Sequence, residues 1–181
     1  MSFKYDQSMS KEDSIELAKA MLNASFSEIE DIPDSIRLPK GIFHIEEVLA
    51  AEVLLPSETV SDVAILVRFK VGETVELAQF PGQDPSTLDP KVVPVVGSIT
   101  SFRFQGVLGI QKFKKVFSPV INNINPDISV TDFVESLGSG AITNLTIQTT
   151  LRADKQKKDF AEDGITMVPV MYSELVSVMA L

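Results

Sequence analysis

The chain has 181 residues, 44% of them apolar and 23% charged, with a formal net charge of −9. This is enough chain for one buried core, and the composition is that of an ordinary globular domain. There is no cysteine and a single histidine, His44, which excludes disulfides, thiolate metal sites, a cysteine nucleophile and every multi-histidine metal centre.

No window approaches the roughly 18 consecutive apolar residues of a membrane span. The N-terminal MSFKYDQSMSKEDS lacks the charged-then-apolar order of a signal peptide, so a cytoplasmic location is expected, the host cell cytoplasm if the gene is a phage's. The charge is uneven. Residues 1–35 carry 3 basic and 8 acidic side chains, residues 36–115 carry 9 and 9, and residues 116–181 carry 4 and 8. A negative total opposes phosphate binding in general, but local basic clusters decide it.

In chain order, residues 1–9 read as a loose arm. Ser10 is placed to cap a helix with Asp13 as its capping-box partner, and Ile15, Leu17, Ala18, Met21, Leu22 and Phe26 recur at helical spacing, giving an amphipathic helix over about 10–29. Pro33, Pro39 and Gly41 punctuate a connector. Phe43, Ile45, Leu49, Ala51, Val53 and Leu55 share one strand parity, with Glu47 as the exception. Val63, Ile65, Val67, Phe69 and Val71 form a cleaner alternation, with Arg68 and Lys70 facing the other way. Gly72-Glu73 reads as a tight turn into Thr74–Phe80.

A Pro-rich loop over 81–91 precedes an apolar stretch, Val92–Phe104, in which Pro94 and Gly97 suggest an edge or bulged strand. Val107, Ile110, Phe113, Val116 and Phe117 form the stripe of a helix that Pro119 should end or kink, with Lys112, Lys114 and Lys115 on its wet face. Ser129 or Thr131 caps a short helix stopped by Gly138 and Gly140. A strand over Ile142–Arg152, a charged loop over 153–163 and a last strand from Ile165 complete the chain, with Pro169 marking that strand as an edge.

This order predicts an α+β protein: an acidic N-terminal arm and helix over 1–37, then a five-stranded OB-like β-barrel over 38–181 with a helix between strands 3 and 4. Three segments resemble bacteriophage single-stranded DNA-binding proteins built on that fold: Leu38-Pro-Lys-Gly-Ile-Phe-His-Ile-Glu-Glu-Val, Ile65-Leu-Val-Arg-Phe-Lys-Val, and Val130-Thr-Asp-Phe-Val-Glu-Ser-Leu-Gly followed by the strand ending Leu151-Arg-Ala-Asp-Lys-Gln-Lys-Lys-Asp-Phe160. The likeness covers roughly 38–172 as a layout. It departs from the family in lacking an acidic C-terminal tail and in carrying the insertion at 81–91. It implies a soluble protein that binds single-stranded DNA in DNA replication or recombination.

Catalysis finds no candidates. His44 sits inside a strand, and Glu46 and Glu47, being adjacent, point to opposite faces unless a bulge intervenes. Neither a GxxxxGK[ST] nor a GxGxxG loop occurs, and no EF-hand spacing is present. No enzyme activity, cofactor or metal is expected.

The candidate nucleic-acid-binding residues are Arg68 and Lys70 on the outer face of the second strand and Phe80 at the tip of the third. Arg152, Lys155, Lys157, Lys158 and Phe160 mark the segment between the last two strands. The alternative is a structural or adaptor protein, such as a virion component. It would dock protein partners, or copies of itself as a homo-oligomer, through the N-terminal helix or the C-terminal strand.

Overall fold

The computed structural model describes residues 10–28, 35–57 and 62–180. Internal contacts divide the chain into two compact units, Met1–Asp34 and Ser35–Leu181. The expected loose arm over 1–9 lies outside the described residues.

In the first unit, helix α1 spans Lys11–Leu22. Ser10 caps it, its hydroxyl accepting the Asp13 N–H at 3.1 Å. The predicted helix to about 29 stops at Leu22, where Asn23 closes the last turn and its side-chain amide donates to the Lys19 carbonyl. No α1 residue is buried. Leu22 and Phe26 are 85% and 95% exposed, so the apolar stripe covers no core among the described residues.

The second unit holds β1 (Gly41–Leu54), β2 (Ala64–Leu77), β3 (Ile99–Gln105), α2 (Gly106–Ile124), α3 (Val130–Gly138), β4 (Leu145–Phe160) and β5 (Met167–Ala180). The strands form one antiparallel sheet in the order β3-β2-β1-β4-β5. The α+β class with five strands holds, but the sheet is not closed into a barrel. Its edge strands β3 and β5 are joined by α2, which packs against both, instead of by backbone pairing.

Alternation along β2 sends Ile65, Val67, Phe69 and Val71 into the core, each 1% exposed or less. Gly72 does not turn the chain. β2 runs through it to Leu77 and pairs with the start of β1, so the expected separate strand 74–80 is the second half of β2. The register slips here, with Phe43 opposite Thr74 but Ile45 opposite Val71. A Cβ on Gly72 would stand 3.1 Å from the His44 carbonyl oxygen, so this glycine answers a close backbone approach inside a bulge.

The Glu47 parity exception has the same kind of cause. Register shifts at Ile45/Glu47 and Val48/Ala50 leave Glu46 and Glu47 both exposed and bring Val48, Ala51 and Val53 against the core.

α2 buries Phe113, Val116, Phe117 and Val120. Phe117 stacks on Phe113 at 4.5 Å and meets Phe104 and Phe133 edge-on at 6.4 and 5.8 Å, an arrangement aromatic rings favour. Pro119 does not end the helix, which continues to Ile124. α3 is capped by Ser129, which accepts the Asp132 N–H at 3.1 Å. It packs on β1, with Gly138 so near Ala51 that a Cβ there would meet the Ala51 carbonyl oxygen at 2.9 Å. Among the described residues no helix is long and apolar enough to cross a membrane.

Candidate nucleic-acid interface

The inward set on β2 fixes what faces outward. Arg68 and Lys70 alternate with Val67, Phe69 and Val71, so their side chains leave the sheet on the side opposite the core. Both are half-buried and both are engaged. Arg68 Nε donates to Ser101 Oγ at 3.3 Å, and Lys70 Nζ lies 3.3 Å from Glu46 Oε2. The adjoining strand adds Arg103, exposed and opposite Leu66, which is absent from the sequence-predicted set. Its signal was present: it lies between Phe102 and Phe104, both buried, and the strand period then sends it outward.

Phe80 does not stand at a strand tip. It sits in the turn after β2, its N–H donating to the Leu77 carbonyl. Its ring packs half-buried against the core.

Predicted as a loop, residues 153–163 are instead part of a two-stranded arm. β4 leaves β1 after the pair Gly41↔Thr149 but stays paired with β5 through Phe160↔Met167. Between the pairs Ala153↔Met171 and Lys158↔Pro169, β4 advances five residues and β5 two, so 154–157 bulge out. Asp154 shapes the bulge by accepting the N–H groups of Gln156 at 2.8 Å and Lys157 at 2.9 Å. Those two bonds, led by the one from Lys157, together with the Lys157 charge, hold its carboxyl below the ordinary range.

At the tip, Asp163 accepts from the Thr166 hydroxyl at 2.6 Å and from the Ile165 and Thr166 N–H groups at 2.8 Å. Its carboxyl is lowered likewise. Lys155, Lys157 and Lys158 are exposed, and none forms an ion pair among the described residues. Phe160 beside them is 63% exposed.

Arg152, at the root of the arm, is already paired. Its Nη1 lies 3.2 Å from Glu174 Oε2, and Lys112 of α2 forms an ion pair with the other oxygen of the same carboxylate. Lys112 therefore does more than solvate the helix. Burial, and then the nearby guanidinium, hold its ammonium below the usual lysine range.

The two basic sets do not converge in one cluster. Ala50 stands opposite Arg68 and Gly41 opposite Thr149, nine residues apart along β1, and Arg152 is three residues further along β4. A straight path of that length is on the order of 40 Å, which the bulges in β1 shorten.

An open hollow of about 290 Å³ lies beside the β1–β2 bulge, lined by His44, Ile45, Glu46, Gly72, Glu73 and Val96. His44 Nδ1 is 3.0 Å from Thr146 Oγ1, a pairing of imidazole with a hydroxyl that is itself buried. Among the described residues, no group of three or more His, Cys, Asp and Glu side chains could hold a metal ion. Comparison with protein-family models, with curated protein sequences and with solved structures returns no match.

Proposed function

We propose that this is a binding protein for single-stranded nucleic acid, with DNA as the ligand, rather than an enzyme. The observation that carries the reading is the arm. It presents Lys155, Lys157 and Lys158, exposed and without ion pairs among the described residues, beside an exposed Phe160 on a ribbon that extends beyond the sheet. Exposed cations follow a phosphate backbone, and an exposed ring stacks on a base for about 1–3 kcal/mol. Arg68, Lys70 and Arg103 on the outer β2–β3 face form a second contact.

A strand running from the arm to that face covers several nucleotides, within the 4–16 or so that an OB-type domain occupies. The finer description is a partly open OB-like barrel, supported by five antiparallel strands with the helices α2 and α3 between the third and fourth. Service in phage-type replication or recombination follows from the family resemblance alone. Titrating labelled oligo-dT with the protein at rising salt tests the reading.

One observation favours a protein-binding adaptor instead. The arm also exposes Ile165 by 81% and Met167 by 50%, and residues 153–166 carry three lysines against Asp154, Asp159, Glu162 and Asp163. An arm that docks by these apolar residues would bind a protein with little dependence on salt.

A further inference from the structure

Among the described residues the arm has no third strand beyond Thr149, and a lone two-stranded ribbon is only marginally stable in water. Its direction must therefore be set at its root. Three cations meet there on β5. Lys112 from α2 and Arg152 from β4 both pair with the Glu174 carboxylate, whose side chain is only 17% exposed. The Arg37 guanidinium donates to the Met171 carbonyl oxygen. Glu174 is thus the one charged side chain of β5, and it joins a helix, the strand beside it and the strand that carries it.

We propose that Glu174 is a positioning residue that holds the β4–β5 arm at a set angle to α2, and that Arg152 serves this clamp rather than a phosphate. A carboxylate with one partner on each side resists swinging of the ribbon in both directions. Losing it leaves the Lys112 and Arg152 cations beside each other with no carboxylate between them, a like-charge contact that pushes helix and strand apart. The consequence for ligand binding rests on the arm being the binding element; the clamp itself does not.

Backbone hydrogen exchange of the full chain, with no nucleic acid present, tests the clamp directly. In Glu174→Gln, amides over 152–160 and 167–173 are expected to exchange several-fold faster, while those of β2 keep wild-type protection. Arg152→Gln should do the same. The double variant Glu174→Gln/Lys112→Ala should add little beyond either change, because the three groups act as one unit. Unchanged exchange in the arm would overturn the proposal. So would equal acceleration of arm and β2 amides, which marks general destabilisation.

Oligo-dT binding supplies the second readout. Glu174→Gln should weaken affinity with the salt slope unchanged, since no phosphate contact is lost. A steeper slope, from two cations freed to meet phosphate, contradicts the clamp. If the wild-type chain binds no oligonucleotide, the nucleic-acid reading fails while the exchange result still decides the clamp.

Discussion

Lys70 Nζ lies 3.3 Å from Glu46 Oε2 on the outer face of the sheet. The cation that β2 offers to a phosphate is therefore answered in part by a carboxylate of β1. Both side chains are substantially exposed, 33% and 44%, so the pair adds little to stability but competes with a ligand. Glu46→Gln is expected to raise oligo-dT affinity and steepen the salt slope by up to about 0.7, the value of one added phosphate contact on a single strand. Melting temperature should barely move. An unchanged slope would mean that this face of β2 does not touch the ligand.

Phe117 is fully buried among Phe104, Phe113 and Phe133. Phe117→Ala should cost about 3–5 kcal/mol in denaturant unfolding, since it removes a ring from the centre of a packed cluster. Phe26→Ala, at a residue 95% exposed, should cost nothing measurable. Comparable losses in the two variants would show that the core lies elsewhere.

Removal of residues 1–34 is expected to leave the melting temperature of the remainder almost unchanged, because α1 buries none of its side chains and the chain divides at Asp34/Ser35. Spacing alone reads Ile15, Leu17, Met21 and Leu22 as the apolar face of an amphipathic helix, a face that would need a surface to bury against. A drop of several degrees on differential scanning calorimetry would restore that helix to the core.

Asp154 and Asp163 give the arm a pH dependence. Both carboxyls sit below the ordinary aspartate value of 3.8, Asp154 chiefly through the Lys157 and Gln156 N–H groups and Asp163 through the Thr166 hydroxyl and the N–H groups of Ile165 and Thr166. A lowered folded value means the local stabilisation is fully present above 3.8 and is lost as pH falls through the lower folded value. Amide chemical shifts of Gln156, Lys157, Ile165 and Thr166 should titrate with a midpoint below 3.8. Movement centred above 3.8 would contradict these hydrogen bonds.

Much of the fold was legible because period-2 alternation is a local property. The inward set Ile65 to Val71 and the caps at Ser10 and Ser129 could be read from a few neighbouring residues. Gly72 misled because a glycine inside a strand and a glycine in a hairpin turn look alike until the partner strand is known; only the close His44 carbonyl distinguishes them. The arm was missed for a related reason. Asp-Lys-Gln-Lys-Lys-Asp has the composition of a loop, and its strand form depends on pairing with Val-Pro-Val-Met of β5. Phe80 and Arg152 were legible as residue types but not as partners, since the core that takes Phe80 and the Glu174 that takes Arg152 lie far off in sequence. Arg103 could have been found by carrying the parity of Phe102 and Phe104 one step further.

The central claim is that Lys155, Lys157 and Lys158 contact phosphates. The most direct test compares oligo-dT binding by the triple-alanine variant at these positions with that of Lys91→Ala/Lys114→Ala/Lys115→Ala, which removes the same charge from exposed lysines elsewhere. Exposed charges beyond roughly 8 Å are largely screened at about 0.15 M salt, so a change in total charge should affect both variants alike and weakly. The arm variant is expected to lose affinity strongly and to flatten the salt slope by about 2, at about 0.7 for each of three contacts, with its melting temperature unchanged. Equal losses in the two variants, or no binding by the wild-type chain at about 50 mM salt, would contradict the claim.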